Sequence, residues 1–121
     1  MANVLTVDDS PSVCQMVKVV LGPDGHNVVA AGDGAAGLAK AKSQRFDLIL
    51  TDLNMPVMNG MEMIKAVRAL PNYVGVPIVF LTTESDESVK SQAKAAGATG
   101  WLTKPFKPEQ LHAVMAKLVR K

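Results

Sequence analysis

The sequence predicts an open, doubly wound α/β fold in which five parallel strands alternate with five helices. Two observations carry this. Five short apolar runs alternate with five segments of helical periodicity, and runs such as Leu48-Ile49-Leu50 and Ile78-Val79-Phe80-Leu81 are apolar throughout. Strands of that kind are covered on both faces, which is the condition of a parallel sheet. With right-handed crossovers, and with 121 residues falling far short of a closed eightfold barrel, an open three-layer sandwich remains.

Each element has its own signal. Val4-Leu5-Thr6-Val7 is a β-branched run, followed by Ser10 as a candidate N-cap and Pro11 at the first helical position. Val13, Met16, Val17 and Val20 then recur at helical spacing until Gly22-Pro23-Asp24-Gly25 stops the helix, and Cys14 falls off that stripe. The alternation continues with a strand over 27–31 and a helix over 34–42, then a strand over 47–51 and a helix over 60–70. A strand over 78–82, a helix over 87–96, a strand over 100–103 and a helix over 108–118 complete it.

The length suits one domain spanning 1–121, and hydrophobic residues at 48% with aromatics at 4% predict an aliphatic core. Thirteen Lys and Arg against eleven Asp and Glu leave +2, too little for a nucleic-acid binder that works by phosphate neutralisation. No apolar run approaches a membrane span, and a lone cysteine without a leader-like N-terminus points to a cytoplasmic protein.

In an open parallel sheet, ligands bind outside the carboxyl ends of the strands. There the sequence offers Asp8-Asp9 after the first strand, Asp52 after the third, Thr82 at the end of the fourth and Lys104 after the fifth. If the strand order is 2-1-3-4-5, Asp8 and Asp9 face Asp52 across the switch point. Three close carboxylates call for a cation, and oxygen donors without His or Cys spacing suit Mg²⁺ rather than zinc. A carboxylate can act as a nucleophile toward phosphorus, with the Lys and Thr groups stabilising phosphoryl oxygens. Taken singly, each residue reads as a loop acid, a strand threonine or a solvated lysine; the set carries the argument.

Asp8-Asp9, the stretch from Asp52 through Asn54 and Pro56 to Gly60, Thr82, and Lys104-Pro105-Phe106 together resemble the response-regulator receiver domains, CheY-like chemotaxis regulators in particular. The resemblance covers essentially the whole chain and implies a flavodoxin-like fold. It implies that Asp52 accepts a phosphoryl group from a CheA-like histidine kinase. It further implies that Asp9, Asp52 and the Asn54 backbone carbonyl bind Mg²⁺ directly, with Asp8 acting through water. Thr82 and Lys104 then contact the phosphoryl group, and the Lys104-Pro105 bond is cis. Phosphorylation is expected to reorder the face made by the fourth helix, fifth strand and fifth helix.

Two positions depart from the usual pattern. Trp101 stands where most receivers carry Tyr or Phe as the switch aromatic, and Thr83 where Ala or Gly is usual. Asn54 and Glu84 flank the site as in regulators that lose phosphate quickly, which implies a short-lived phosphoryl group. The expected output is phosphorylation-dependent binding of a monomer to a partner such as the flagellar motor switch. A phosphotransfer intermediate or phosphate sink is the alternative.

Two other classes compete. A small phosphatase with Asp52 as nucleophile needs a second acid two residues on, where the sequence has Asn54. Gly32-Asp33-Gly34-Ala35-Ala36-Gly37 matches a dinucleotide-binding loop, but it follows the second strand rather than the first. Close helix-sheet packing is the plainer reading of those glycines. The expectation is a regulator, not a turnover enzyme.

Overall fold

The computed structural model describes residues 2–53, 58–83 and 87–119. Its strands are β1 (Asn3–Val7), β2 (Asn27–Ala31), β3 (Leu48–Asp52), β4 (Ile78–Thr82) and β5 (Gly100–Thr103). All pair in parallel, in the order β2-β1-β3-β4-β5. The helices are α1 (Pro11–Leu21), α2 (Gly34–Ser43), α3 (Gly60–Arg68), α4 (Glu87–Ala96) and α5 (Pro108–Leu118). This is the open, doubly wound sheet with five helices that the sequence predicts.

Because side chains alternate across a strand, the inner strands feed two cores. Leu5, Val7, Ile49, Ile78 and Phe80 join a cluster with Met63, Ile64 and Val67 of α3 and Ala93 and Ala96 of α4. Val4, Leu48, Leu50, Val79 and Leu81 join the other, with Val17 and Leu21 of α1 and Leu111 and Met115 of α5. Burying each large aliphatic side chain contributes roughly 1.5–3 kcal/mol.

One helix end and two side chains of α1 depart from the sequence reading. Helix α3 stops at Arg68 rather than Leu70, because Pro71 forces Leu70 into extended backbone (φ −82°, ψ 126°) and opens a 3-10 turn over Pro71–Tyr73. Ser10 occupies the N-cap position of α1 without capping it; its hydroxyl faces Ser12 Oγ at 3.0 Å. Cys14 is not off the apolar face but buried, beside Val17 and Leu21. The core-facing side of α1 is therefore turned toward Cys14, Val17 and Leu21, leaving Val13 and Val20 at its margin.

The glycine-rich loop is explained by packing. Asp33 caps α2, its Oδ1 accepting from the Ala36 N–H at 2.8 Å. A Cβ at Gly34 would collide with the Met58 carbonyl, and one at Gly37 would meet Val7 Cγ2 at 2.8 Å. Helix α2 is thus drawn down onto the sheet and onto the loop that leads into α3. That loop ends in a reciprocal cap, where Asn59 Oδ1 accepts from Glu62 N–H and Glu62 Oε1 accepts from Asn59 N–H.

Candidate phosphoacceptor site

Parallel strands all present their carboxyl ends at one rim, so residues distant in sequence converge there. Asp8 follows β1, Asp52 and Thr82 are the last residues of β3 and β4, and Lys104 follows β5. One carboxylate oxygen from each of Asp8, Asp9 and Asp52 lies within 4.8 Å of the others. Asp8, Asp52 and Thr82 are buried, whereas Asp9 is exposed.

The two buried acids are each held by specific contacts. Asp8 Oδ1 accepts from the Ser10 N–H at 2.9 Å, and Asp52 Oδ1 accepts from its neighbour Leu53 N–H at 2.8 Å. Lys104 Nζ bridges the two, 2.7 Å from Asp8 Oδ2 and 3.3 Å from Asp52 Oδ2. Burial alone would pull the Lys104 ammonium down. The hydrogen bond to Asp8 and the charges of Asp52 and Asp8 outweigh burial and hold it above the usual lysine range. One ammonium therefore bridges two carboxylates of a three-acid cluster, and the donor set of carboxylate oxygens suits a hard divalent cation such as Mg²⁺.

The backbone fixes these groups. Lys104 N–H donates to the Thr82 carbonyl at 2.8 Å, extending the β4-β5 ladder one step beyond the strand, and the Lys104-Pro105 bond is cis. Gly60 packs directly on the Asp52 carbonyl, and its N–H donates to Leu53 O at 3.0 Å. A side chain there would occupy the position of the Asp52 backbone, a dependence the sequence reading did not single out although Gly60 lies within the motif it quoted. An open cavity of about 350 Å³, bounded by Asp8, Asp9, Cys14, Lys18 and Gly32, flanks the acids on the β2 side.

Asp8, Asp9, Asp52, Thr82, Lys104 and Pro105 thus share the rim named from the sequence. Thr83 is exposed just beyond Thr82, and Trp101 lies on β5 away from the acids, 37% exposed and tilted against Phe80 with ring centroids 6.2 Å apart. Asn54, expected to lend a carbonyl to the metal, and Glu84, expected to flank the site, lie outside the described residues.

Known proteins resemble this chain in sequence and fold. The family model of the response regulator receiver domain matches residues 4–116. The chain is 40% identical over 119 residues to the DNA-binding response regulator MtrA of Mycolicibacterium smegmatis, covering 98% of this chain and 51% of MtrA. It therefore spans about half the length of that relative. Among solved structures, the Vibrio cholerae chemotaxis protein CheY4 superposes with a TM-score of 0.93 at 51% identity, covering 98% of each chain. The receiver domain of sensor histidine kinase PA1611 from Pseudomonas aeruginosa, described with a magnesium ion coordinated in its active-site cleft, superposes with a TM-score of 0.89 at 30% identity. That match covers 98% of this chain and 97% of the other. With the fold, the acid-lysine rim and the family match in agreement, this chain belongs to the response regulator receiver domain family.

Proposed function

We propose that the protein is a CheY-like response regulator that takes a phosphoryl group on Asp52 from a histidine kinase and then alters its binding to a partner protein. The observation that carries this reading is Lys104 Nζ bridging Asp8 and Asp52 within a cluster that also holds Asp9. In the transfer, an Asp52 carboxylate oxygen forms a bond to phosphorus while the bond from phosphorus to the kinase imidazole breaks, its electron pair leaving on nitrogen. Lys104 and the Thr82 hydroxyl stabilise phosphoryl oxygens. Asp8, Asp9 and Asp52, with the Asn54 carbonyl, are the groups that would hold Mg²⁺, which when bound supplies charge compensation for the carboxylates and the phosphoryl group. Asp8, already engaged by Lys104 and the Ser10 amide, would act on the cation through water.

A protein target is favoured over DNA by the net charge of +2 and by the likeness to CheY4 over nearly the whole of both chains. In this reading the chain works as a single cytoplasmic receiver domain and a monomer, with a flagellar motor switch as the kind of target expected. Its output face is α4, β5 and α5. Thr83 and Glu84 tune the lifetime of the phosphoryl group, and Trp101 reports or shapes the switch.

Intact mass after incubation with acetyl phosphate tests the assignment. A single Mg²⁺-dependent phosphoryl adduct on the wild type, absent from Asp52→Asn, is the expected result; an adduct unaffected by the substitution would overturn it. Binding to a motor-switch protein that appears only with beryllofluoride separates a motor regulator from a phosphate sink.

A further inference from the structure

Helix α4 is held to the sheet by little apolar surface. Its buried side chains are Ala93 and Ala96, with Val89 partly buried, whereas α3 buries Met63, Ile64 and Val67. An alanine methyl removes far less apolar area from water than those side chains do. What α4 does have is a pair of lysines one turn apart, Lys90 and Lys94, both directed at the same ring. Lys90 Nζ lies 4.5 Å and Lys94 Nζ 5.3 Å from the Trp101 ring centroid, inside the range of cation–π attraction.

This pairing is informative because it runs against the rule for helices. Like charges at positions i and i+4 repel. The Lys90 side chain is only 15% exposed, although its one ion-pair partner among the described residues, Glu87, lies 3.9 Å away with a carboxylate 89% exposed. The indole face offers both ammoniums a common negative potential that Glu87 does not provide. Trp101 is itself fixed from below, paired in register with Phe80 across β4 and β5 and in ring contact with it.

We propose that Trp101, Lys90 and Lys94 form a cation–π clamp that tethers α4 to β5, and that this clamp, rather than apolar burial, sets how readily α4 leaves the sheet. A group that competes for the two ammoniums, such as the carboxylates of an acidic segment, releases the helix. The regulatory consequence rests on the output face described under Proposed function. The clamp itself is measured on unphosphorylated protein, so the failure of one is distinguishable from the failure of the other.

The test is hydrogen exchange of the α4 amides in the wild type, in Lys90→Met/Lys94→Met and in Lys90→Arg/Lys94→Arg. Methionine keeps the apolar stem and the helix propensity while removing the charge. With the clamp, α4 amides exchange roughly three- to ten-fold faster in the Met pair and near the wild-type rate in the Arg pair, while those of α1 and α5 do not change. Without it, relief of the lysine repulsion leaves α4 exchange unchanged or slows it, and that result overturns the proposal. Equal acceleration in every element, or in both variants alike, overturns it too. In the same samples, acrylamide quenching of the sole tryptophan rises only where α4 is released.

Discussion

Lys104 and Asp8, 96 positions apart in the chain, meet at 2.7 Å across the rim of the sheet. The contact joins the ends of β1 and β5, between which β3 and β4 lie, and it places a mostly buried ammonium among three acids. Lys104→Met removes the one basic group that the described residues place on those acids. We expect a loss of about 1–3 kcal/mol in urea unfolding without divalent cation. Millimolar Mg²⁺ should recover part of it, since a ligand of the folded state alone stabilises by mass action. A variant as stable as the wild type in chelator would show that the bridge contributes nothing.

Gly60 and Gly32 make a controlled pair. A Cβ at Gly60 would fall on the Asp52 carbonyl, whereas one at Gly32 meets nothing within 4 Å. Gly60→Ala should cost about 1–3 kcal/mol and displace the end of β3 that carries Asp52, which under the proposed function lowers phosphorylation by acetyl phosphate. Gly32→Ala should stay within about 0.5 kcal/mol of the wild type. Equal stability of the two variants in thermal unfolding would refute the packing argument.

Tyr73 predicts the behaviour at high pH. Its hydroxyl accepts from the Phe46 N–H at 3.1 Å and can donate to Ala41 O at 2.8 Å or Gln44 O at 2.9 Å, joining the end of α2 to the turn before β4. Burial pushes this phenol above its ordinary value, with the Phe46 hydrogen bond opposing only in part. A group whose folded value is raised binds its proton more tightly in the native state. Its contribution is complete below the unfolded value near pH 10 and is lost as pH rises from there through the folded value. Tyr73→Phe should cost about 1–3 kcal/mol at neutral pH, because the Phe46 amide is left unpaired, and should flatten the alkaline decline. Stability measured from pH 8 to 11.5 in both proteins checks this.

Cys14 should be a poor nucleophile. It is buried, its thiol lies 3.7 Å from the Asp8 carbonyl, and burial followed by the Asp8 charge raises it above the usual thiol range. Reaction with a maleimide at pH 7.5 should be at least about ten-fold slower in the native protein than in urea. Equal rates would mean that the thiol is open to solvent.

Most of the fold was legible because its signals are local. The apolar runs of β3 and β4 have no reading as solvated surface, and Pro11 marks the start of α1 at its true end. The acid-lysine rim was legible because parallel strands carry their last residues to one place, so order along the chain became position in space. Other features depended on rotation or reach. A turn of α1 about its axis decides whether Cys14 faces core or solvent, and the stripe of Val13, Met16, Val17 and Val20 pointed to a rotation with Cys14 off the core, whereas the helix is turned toward Cys14, Val17 and Leu21. Tyr73 and Arg68 were not singled out because their partners are chiefly backbone groups. Arg68 donates to Tyr73 O at 2.7 Å and to Gly97 O at 2.9 Å, and a carbonyl leaves no mark in the residue alphabet. Trp101 was noticed as an unusual aromatic, but the two lysines that meet it lie a helix away.

The rim draws its acids and its lysine from the ends of separate strands, with Asp8 and Lys104 near opposite ends of the chain. An incomplete or misfolded chain therefore presents Asp52 as an isolated carboxylate, with no more appetite for phosphate than any surface aspartate. Nothing short of the complete sheet assembles Asp52 with its electrostatic surroundings. Under the proposed function, a signal can be written only on molecules that have finished folding, and local fraying at the end of β1 or of β5 would erase the ability to receive one before the rest of the protein is lost.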